Sequence, residues 1–239
     1  MTLRKHIPNT VTSMNLLCGV MGVYFTFEGR FDVAFLLMLA AAVFDFCDGL
    51  AARALGAYSD VGRELDSLCD VVSFGVLPAL MLTCMMKSLG CSGLWVYVPM
   101  ALAVFSALRL AKFNVDERQH DSFIGLATPP SAMICGSLCS FVAAHPGSAI
   151  AGWCAACWVL PLLASVLSAL LVSEVPMFAF KFGKGRTADR RTRILRAVFL
   201  AAVILIAAIV AFAGLGWQLI VLLALAAYVI LNFAALALK

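Results

Sequence analysis

Four aspartates recur in fixed register across two apolar stretches: Asp45 and Asp48 in DFCDGLAAR, then Asp66 and Asp70 in GRELDSLCD. On helices, spacings of three and four place each pair on one face, so two neighbouring helices can present four carboxylates to one point. Aspartate in the middle of a membrane helix costs about 3 kcal/mol. One such residue reads as a helix end reaching water; four in this register need a shared cation. Hard oxygen donors with no histidine or thiolate in the pattern suit Mg²⁺ or Mn²⁺. Cys47 and Cys69 neighbour the aspartates in sequence but project elsewhere on a helix, and read as packing.

Small residues surround the acidic positions. Gly49, Ala52 and Gly62 let either a bulky ligand or another helix approach the backbone. Arg53, five residues past Asp48, is placed either to meet a phosphate or to anchor the helix end at the interface.

The elements that must position these residues are membrane helices. The chain's 239 residues are 64% hydrophobic and 13% charged, with a mean hydropathy of +1.02, which excludes a soluble core wrapped in a polar surface. Stretches of roughly 20 apolar residues fall near 12–28, 31–54, 64–86, 93–112, 128–145, 149–172, 194–213 and 217–237. The predicted fold class is an all-α polytopic membrane protein of about eight transmembrane helices.

Charge sets the expected orientation. With a cytoplasmic N-terminus, all of the 17 Lys and Arg residues except Arg30 and Lys87 fall on the inner side. Both termini and the aspartate site are then cytoplasmic, in a multi-pass cell-membrane protein. The basic segment from Lys181 to Arg196 suits anionic headgroups, and nucleic acid is not an expected partner. Arg4 and Lys5 precede an apolar run without an evident cleavage site, and Leu17 before Cys18 does not fit a lipoprotein signal, so that run is expected to remain as the first helix. The nine cysteines, the Cys154 and Cys157 pair included, read as apolar packing residues, and their odd number argues against a disulfide framework.

The pattern D-x2-D-G-x2-A-R-x8-G-x3-D-x3-D, met here by Asp45, Asp48, Gly49, Ala52, Arg53, Gly62, Asp66 and Asp70, resembles the signature of the CDP-alcohol phosphotransferase family. That resemblance implies a membrane enzyme that uses two divalent cations, Mg or Mn, to move a substituted phosphate from a CDP-linked donor to an alcohol, releasing CMP. It implies Asp45, Asp48 and Asp66 as metal ligands and Asp70 as both ligand and general base. It also implies a six-helix core within residues 1–190, including an N-terminal interfacial segment, and a homodimer; the resemblance covers about residues 5–185, and a C-terminal helix pair within 191–239 is expected beyond the core.

In the same family the first helix helps to hold the cytidine diphosphate. Here PNTVTSMN spaces Asn9, Thr12 and Asn15 by three, giving a polar stripe able to face the nucleotide. Pro8, Asn9 and Thr12 are therefore candidate CDP contacts, with Gly49, Arg53 and Ser59; a helix cap is the alternative for Asn9 and Thr12. Three further stretches, ELDSLCDVVSFG, RLAKFNV and FIGLATPP, resemble the bacterial phosphatidylserine synthase branch, which joins CDP-diacylglycerol to L-serine. Ala127 stands where proline is expected in that branch's loop. A serine carboxylate needs a cation beside the metal site, and Arg109, Lys112 and Arg118 lie on the appropriate side, either for that role or as positive-inside anchors. The run from Met177 to Lys184 is expected at the interface.

Other members of the family, such as phosphatidylglycerophosphate synthases, offer the competing acceptor. A cation transporter is the non-enzyme alternative, but it would carry polar positions along a full transbilayer path. No histidine of His6, His120 and His145 has the H-x-K context of a covalent phosphatidyl carrier, which favours direct displacement.

Overall fold

The computed structural model describes residues 6–115, 123–177 and 190–237. Helix α1 (Ile7–Phe27) begins with Pro8 in its first turn, where a missing N–H costs nothing, and turns at 28–30 into α2 (Phe31–Leu55). These two helices pack along their length. Helix α2 ends at Gly56, whose φ of 59° is the left-handed conformation that closes a helix without a Cβ clash.

Asp60–Ser88 forms one continuous span in three parts: α3 (Asp60–Asp70), a π-helical stretch (Val71–Val76) and α4 (Leu77–Ser88). It is the most enclosed span, touching α1, α5 and α6. A 3₁₀ stretch (Leu94–Met100) leads into α5 (Ala101–Val115). Helices α6 (Thr128–Ala144), α7 (Ala149–Cys154) and α8 (Val159–Val172) follow, then α9 (Arg190–Phe212) and α10 (Gln218–Ala237). A two-residue antiparallel pair, β1 (Phe123–Ile124) with β2 (Pro176–Met177), ties the segment before α6 to the segment after α8.

Among the described residues, six helical spans are long and apolar enough to cross a membrane, and α6 and α8 are shorter apolar helices. The eight expected stretches are all present as helices. The expected span 149–172 is broken, however: α7 stops at Cys154, a turn follows, and α8 supplies only 14 residues, a rise of about 21 Å.

Packing follows membrane rules, in which close approach of small residues replaces hydrophobic exclusion from water. Ala34 and Ala41 on α2 are fully buried beside Phe35 and Met38. Helix α10 lies on α6, where Gln218 Nε2 donates to Ser140 Oγ at 3.4 Å, and α9 lies on α10. Most of α9 faces outward.

One expectation is corrected. Cys91 and Cys157 form a disulfide, 66 residues apart in sequence, while the other seven cysteines are free. An odd count prevents all nine from pairing but leaves room for one bridge. Both partners sit in turns, between α4 and the 3₁₀ stretch and between α7 and α8, at the end of the bundle opposite the α2–α3 junction.

Candidate active site

The acidic residues come from the C-terminal half of α2 and the short helix α3, joined by the turn at 56–59. Ser59 caps α3, its Oγ accepting from Gly62 N at 3.0 Å, which starts the helix so that Asp66 and Asp70 point back toward α2 and α1. Carboxylate oxygens of Asp45, Asp48 and Asp66 lie within 4.8 Å of one another. Asp45 and Asp66 are within hydrogen-bonding reach. Asp48 is 7% exposed, and the Thr12 hydroxyl lies against its carboxylate.

These three residues fit a divalent cation. Asp48 Oδ2 and Asp66 Oδ1 are buried without a hydrogen-bond partner, a costly state for a carboxylate. Among the described residues, none of the ion pairs involves any of the four aspartates. An all-carboxylate donor set of this kind suits a hard cation such as Mg²⁺ or Mn²⁺. Asp70, one helical turn beyond Asp66, lies outside that group of three. It is 7% exposed, and its Oδ1 accepts from Asn15 Nδ2 at 3.1 Å.

Beside the carboxylates opens a cavity of about 270 Å³, bounded by Asp48 and Asp66 at its acidic wall. Of the residues assigned to CDP from sequence, Pro8, Asn9, Thr12, Gly49 and Ser59 line it and Arg53 does not. Neither Asn9 nor Thr12 caps α1, since its N-cap is His6 and Thr12 Oγ1 donates to the Pro8 carbonyl at 3.0 Å. Gly49 has only the Arg53 guanidinium within 4 Å of where a Cβ would stand, so its missing side chain opens space for a ligand. Gly62 is tighter: a Cβ there would lie 3.0 Å from both Asn9 Oδ1 and Ser59 Oγ. Arg53 is exposed and folds back, Nε donating to the Gly49 carbonyl at 3.0 Å.

The three basic candidates for the acceptor differ sharply. Arg109 is 8% exposed on α5, its Nε has no hydrogen-bond partner, and its guanidinium lies 5.8 Å from the centre of the Phe113 ring. It is in electrostatic reach of Asp70. Lys112 Nζ pairs instead with Glu174 Oε1 at 3.5 Å, with both side chains well exposed. Arg118 lies outside the described residues, as do most of the Met177–Lys184 run and the basic segment as far as 189. Ala127 has φ −71° and ψ 149°, a conformation proline itself adopts, so the departure at this position leaves the loop in a proline-like path.

Several residues of the site escape sequence reasoning. Tyr58 and Arg63 line the cavity, and Arg63 is held by Asp60 and Glu64 at 3.8 and 3.7 Å. Asn15 continues the polar stripe of α1 but reaches Asp70 rather than the cavity. Its spacing from Thr12 was visible in sequence; its partner was not.

Comparison with known proteins agrees with this geometry. Residues 5–160 match the model of the CDP-alcohol phosphatidyltransferase family. A CDP-diacylglycerol–serine O-phosphatidyltransferase of Mycobacterium leprae is 35% identical over 178 residues, covering 72% of this chain and 57% of the relative. The protein of the same name from Bacillus subtilis is 34% identical over 129 residues, 54% of this chain and 72% of its own. That from Methanocaldococcus jannaschii is 30% identical over 169 residues, 71% of this chain and 72% of its own. The chain thus spans less than two thirds of the length of the mycobacterial relative. The match covers the four aspartates, the cavity-lining residues of α1 and the whole of α5, and with it the chain belongs to the CDP-alcohol phosphatidyltransferase family.

Proposed function

We propose that this protein transfers the phosphatidyl group of CDP-diacylglycerol to the hydroxyl of L-serine and releases CMP. The observation that carries the reading is a cluster of three carboxylates, two of which, Asp48 and Asp66, form one wall of a cavity whose other wall is the polar start of α1. The names of the relatives support serine as the acceptor.

Asp45, Asp48 and Asp66 would hold divalent cation, with Asp70 as a further ligand. Two such ions, Mg²⁺ or Mn²⁺, would stabilise charge on the attacking and leaving oxygens of an in-line displacement. The cavity residues Pro8, Asn9, Thr12, Gly49 and Ser59 receive the cytidine diphosphate, with Arg53 at the rim. Asp70 takes the proton of the serine hydroxyl. The serine oxygen forms a bond to the lipid-bearing phosphorus, the bond from that phosphorus to the bridging oxygen breaks, and CMP leaves with that oxygen. Arg109 meets the serine carboxylate, since a buried guanidinium with an unpaired Nε beside an acidic centre is matched to a planar anion.

The active site faces the cytoplasm. The asymmetry of Lys and Arg supports this orientation, and so does the Cys91–Cys157 bridge at the opposite end, because disulfides persist in oxidising compartments. The catalytic core occupies residues 1–190, and 191–239 form an added helix pair. Family resemblance supports a homodimer, which size measurement in detergent would check. The direct test of the catalytic reading is Asp70→Asn: transfer should be lost while binding of CDP-diacylglycerol is retained, and near-normal turnover would refute the assignment of the base.

A further inference from the structure

Asn15 lies midway along α1 and is completely buried. Its Nδ2 donates to Asp70 Oδ1 at 3.1 Å, and its backbone carbonyl accepts from Ser73 Oγ at 3.1 Å. Ser73 belongs to the π-helical stretch that begins directly after Asp70. One turn beyond Asn15 on α1, a Cβ on Gly19 would collide with the Ser73 side chain. Glycine at that position therefore lets α1 and the π-helical stretch approach closely enough for both hydrogen bonds to form. Single-turn π insertions of this kind occur often at functional sites.

A carboxylate's terminal torsion is broad and roughly two-fold. Asp70 also lies within electrostatic reach of Asp45, Asp48 and Asp66, like charges that repel its carboxylate without fixing which oxygen it presents. From these contacts we propose that Asn15 is a positioning residue for Asp70. Its amide holds Oδ1 and leaves Oδ2 for the acceptor hydroxyl, while Ser73 and the π-helical stretch keep Asn15 in register. The inference rests on the reading that Asp70 receives the acceptor's proton.

The test compares Asn15→Leu, Asn15→Gln and Ser73→Ala in the purified full chain. For each, turnover, the KM of both substrates, CDP-diacylglycerol binding and the melting temperature are measured. Asn15→Leu is close in size but has no donor, and its kcat should fall about 100-fold, as expected for a misplaced reacting group. Donor affinity and serine KM should stay within about threefold, the mark of an interaction used in the transition state. Asn15→Gln should recover part of the loss, and Ser73→Ala should show a smaller loss of the same kind. Unchanged turnover in Asn15→Leu would overturn the proposal, as would a loss of donor affinity equal to the loss of turnover. If Asn15→Leu does not fold, Ser73→Ala decides, and an unchanged kcat in it refutes the role. Asp70→Asn, run in parallel, separates the two levels. Normal turnover there removes the base itself, whereas a dead Asp70→Asn beside a normal Asn15→Leu removes only the positioning.

Discussion

Asp48 on α2 and Asp66 on α3 converge from different helices, and each keeps one buried carboxylate oxygen without a hydrogen-bond donor. Together with Asp45 their oxygens lie within 4.8 Å. Three acidic groups in that space, with no ion pair to any of them among the described residues, form a site that could hold a cation.

Asp45→Asn should therefore shift the metal dependence of activity rather than only its ceiling. Loss of one charged ligand is expected to raise the Mn²⁺ concentration for half-maximal activity by about tenfold or more, on the scale of one to two charge-assisted contacts. A Mn²⁺ titration that overlays the wild type would remove Asp45 from the ligand set.

Gly62 is closely packed in the cavity wall, with Asn9 Oδ1 and Ser59 Oγ both 3.0 Å from the place of a Cβ. Gly62→Ala must displace one of them, at a cost of about 1–3 kcal/mol. The KM for CDP-diacylglycerol should rise about tenfold or more, with the serine KM much less affected. Equal change in both would indicate a general disturbance of α3.

Arg109 and Lys112 share one helix but not one environment. Removing the buried Arg109 guanidinium as Arg109→Ala should raise the serine KM by roughly ten- to a hundredfold, the value of a hydrogen bond to a charged group, and leave the donor KM nearly unchanged. Lys112→Ala breaks only an exposed pair with Glu174, worth about 0–1 kcal/mol. Steady-state titration of each substrate, with the other saturating, distinguishes the two. An unchanged serine KM in Arg109→Ala would move the carboxylate contact elsewhere.

The spans and the acidic register were legible in sequence because each depends on a local pattern: runs of apolar residues, and aspartates spaced by three and four. The break after Cys154 was not, because residues 149–172 carry no charge and few polar side chains, and α7 gives way to a turn whose Cys157 is bridged to a residue 66 positions away. The same holds at the site. Composition reveals that Asn15 and Lys112 are polar, but their partners, Asp70 and Glu174, lie 55 and 62 residues distant along the chain. The π-helical stretch at Val71–Val76 packs on α1 where Ser73 meets Gly19, a contact that sequence periodicity does not encode.

Orientation has its own test. In a variant whose only cysteines are Cys91 and Cys157, a membrane-impermeant maleimide applied to intact cells after reduction should label both. In a cysteine-free background, Ser59→Cys at the cavity should be labelled only once the membrane is opened. The reverse pattern would place the aspartates outside.

The mechanism of direct displacement requires donor and acceptor together. Donor alone should give no stoichiometric burst of CMP and no labelled lipid on the protein; a burst with label retained would demand a covalent intermediate.

The central claim is best tested by incubating the purified full chain with CDP-diacylglycerol, Mn²⁺ or Mg²⁺, and a panel of alcohols that includes L-serine, glycerol 3-phosphate and inositol. CMP release should depend on serine and on metal, with phosphatidylserine as the lipid product. Metal-dependent CMP release with glycerol 3-phosphate or inositol, and none with serine, would contradict it.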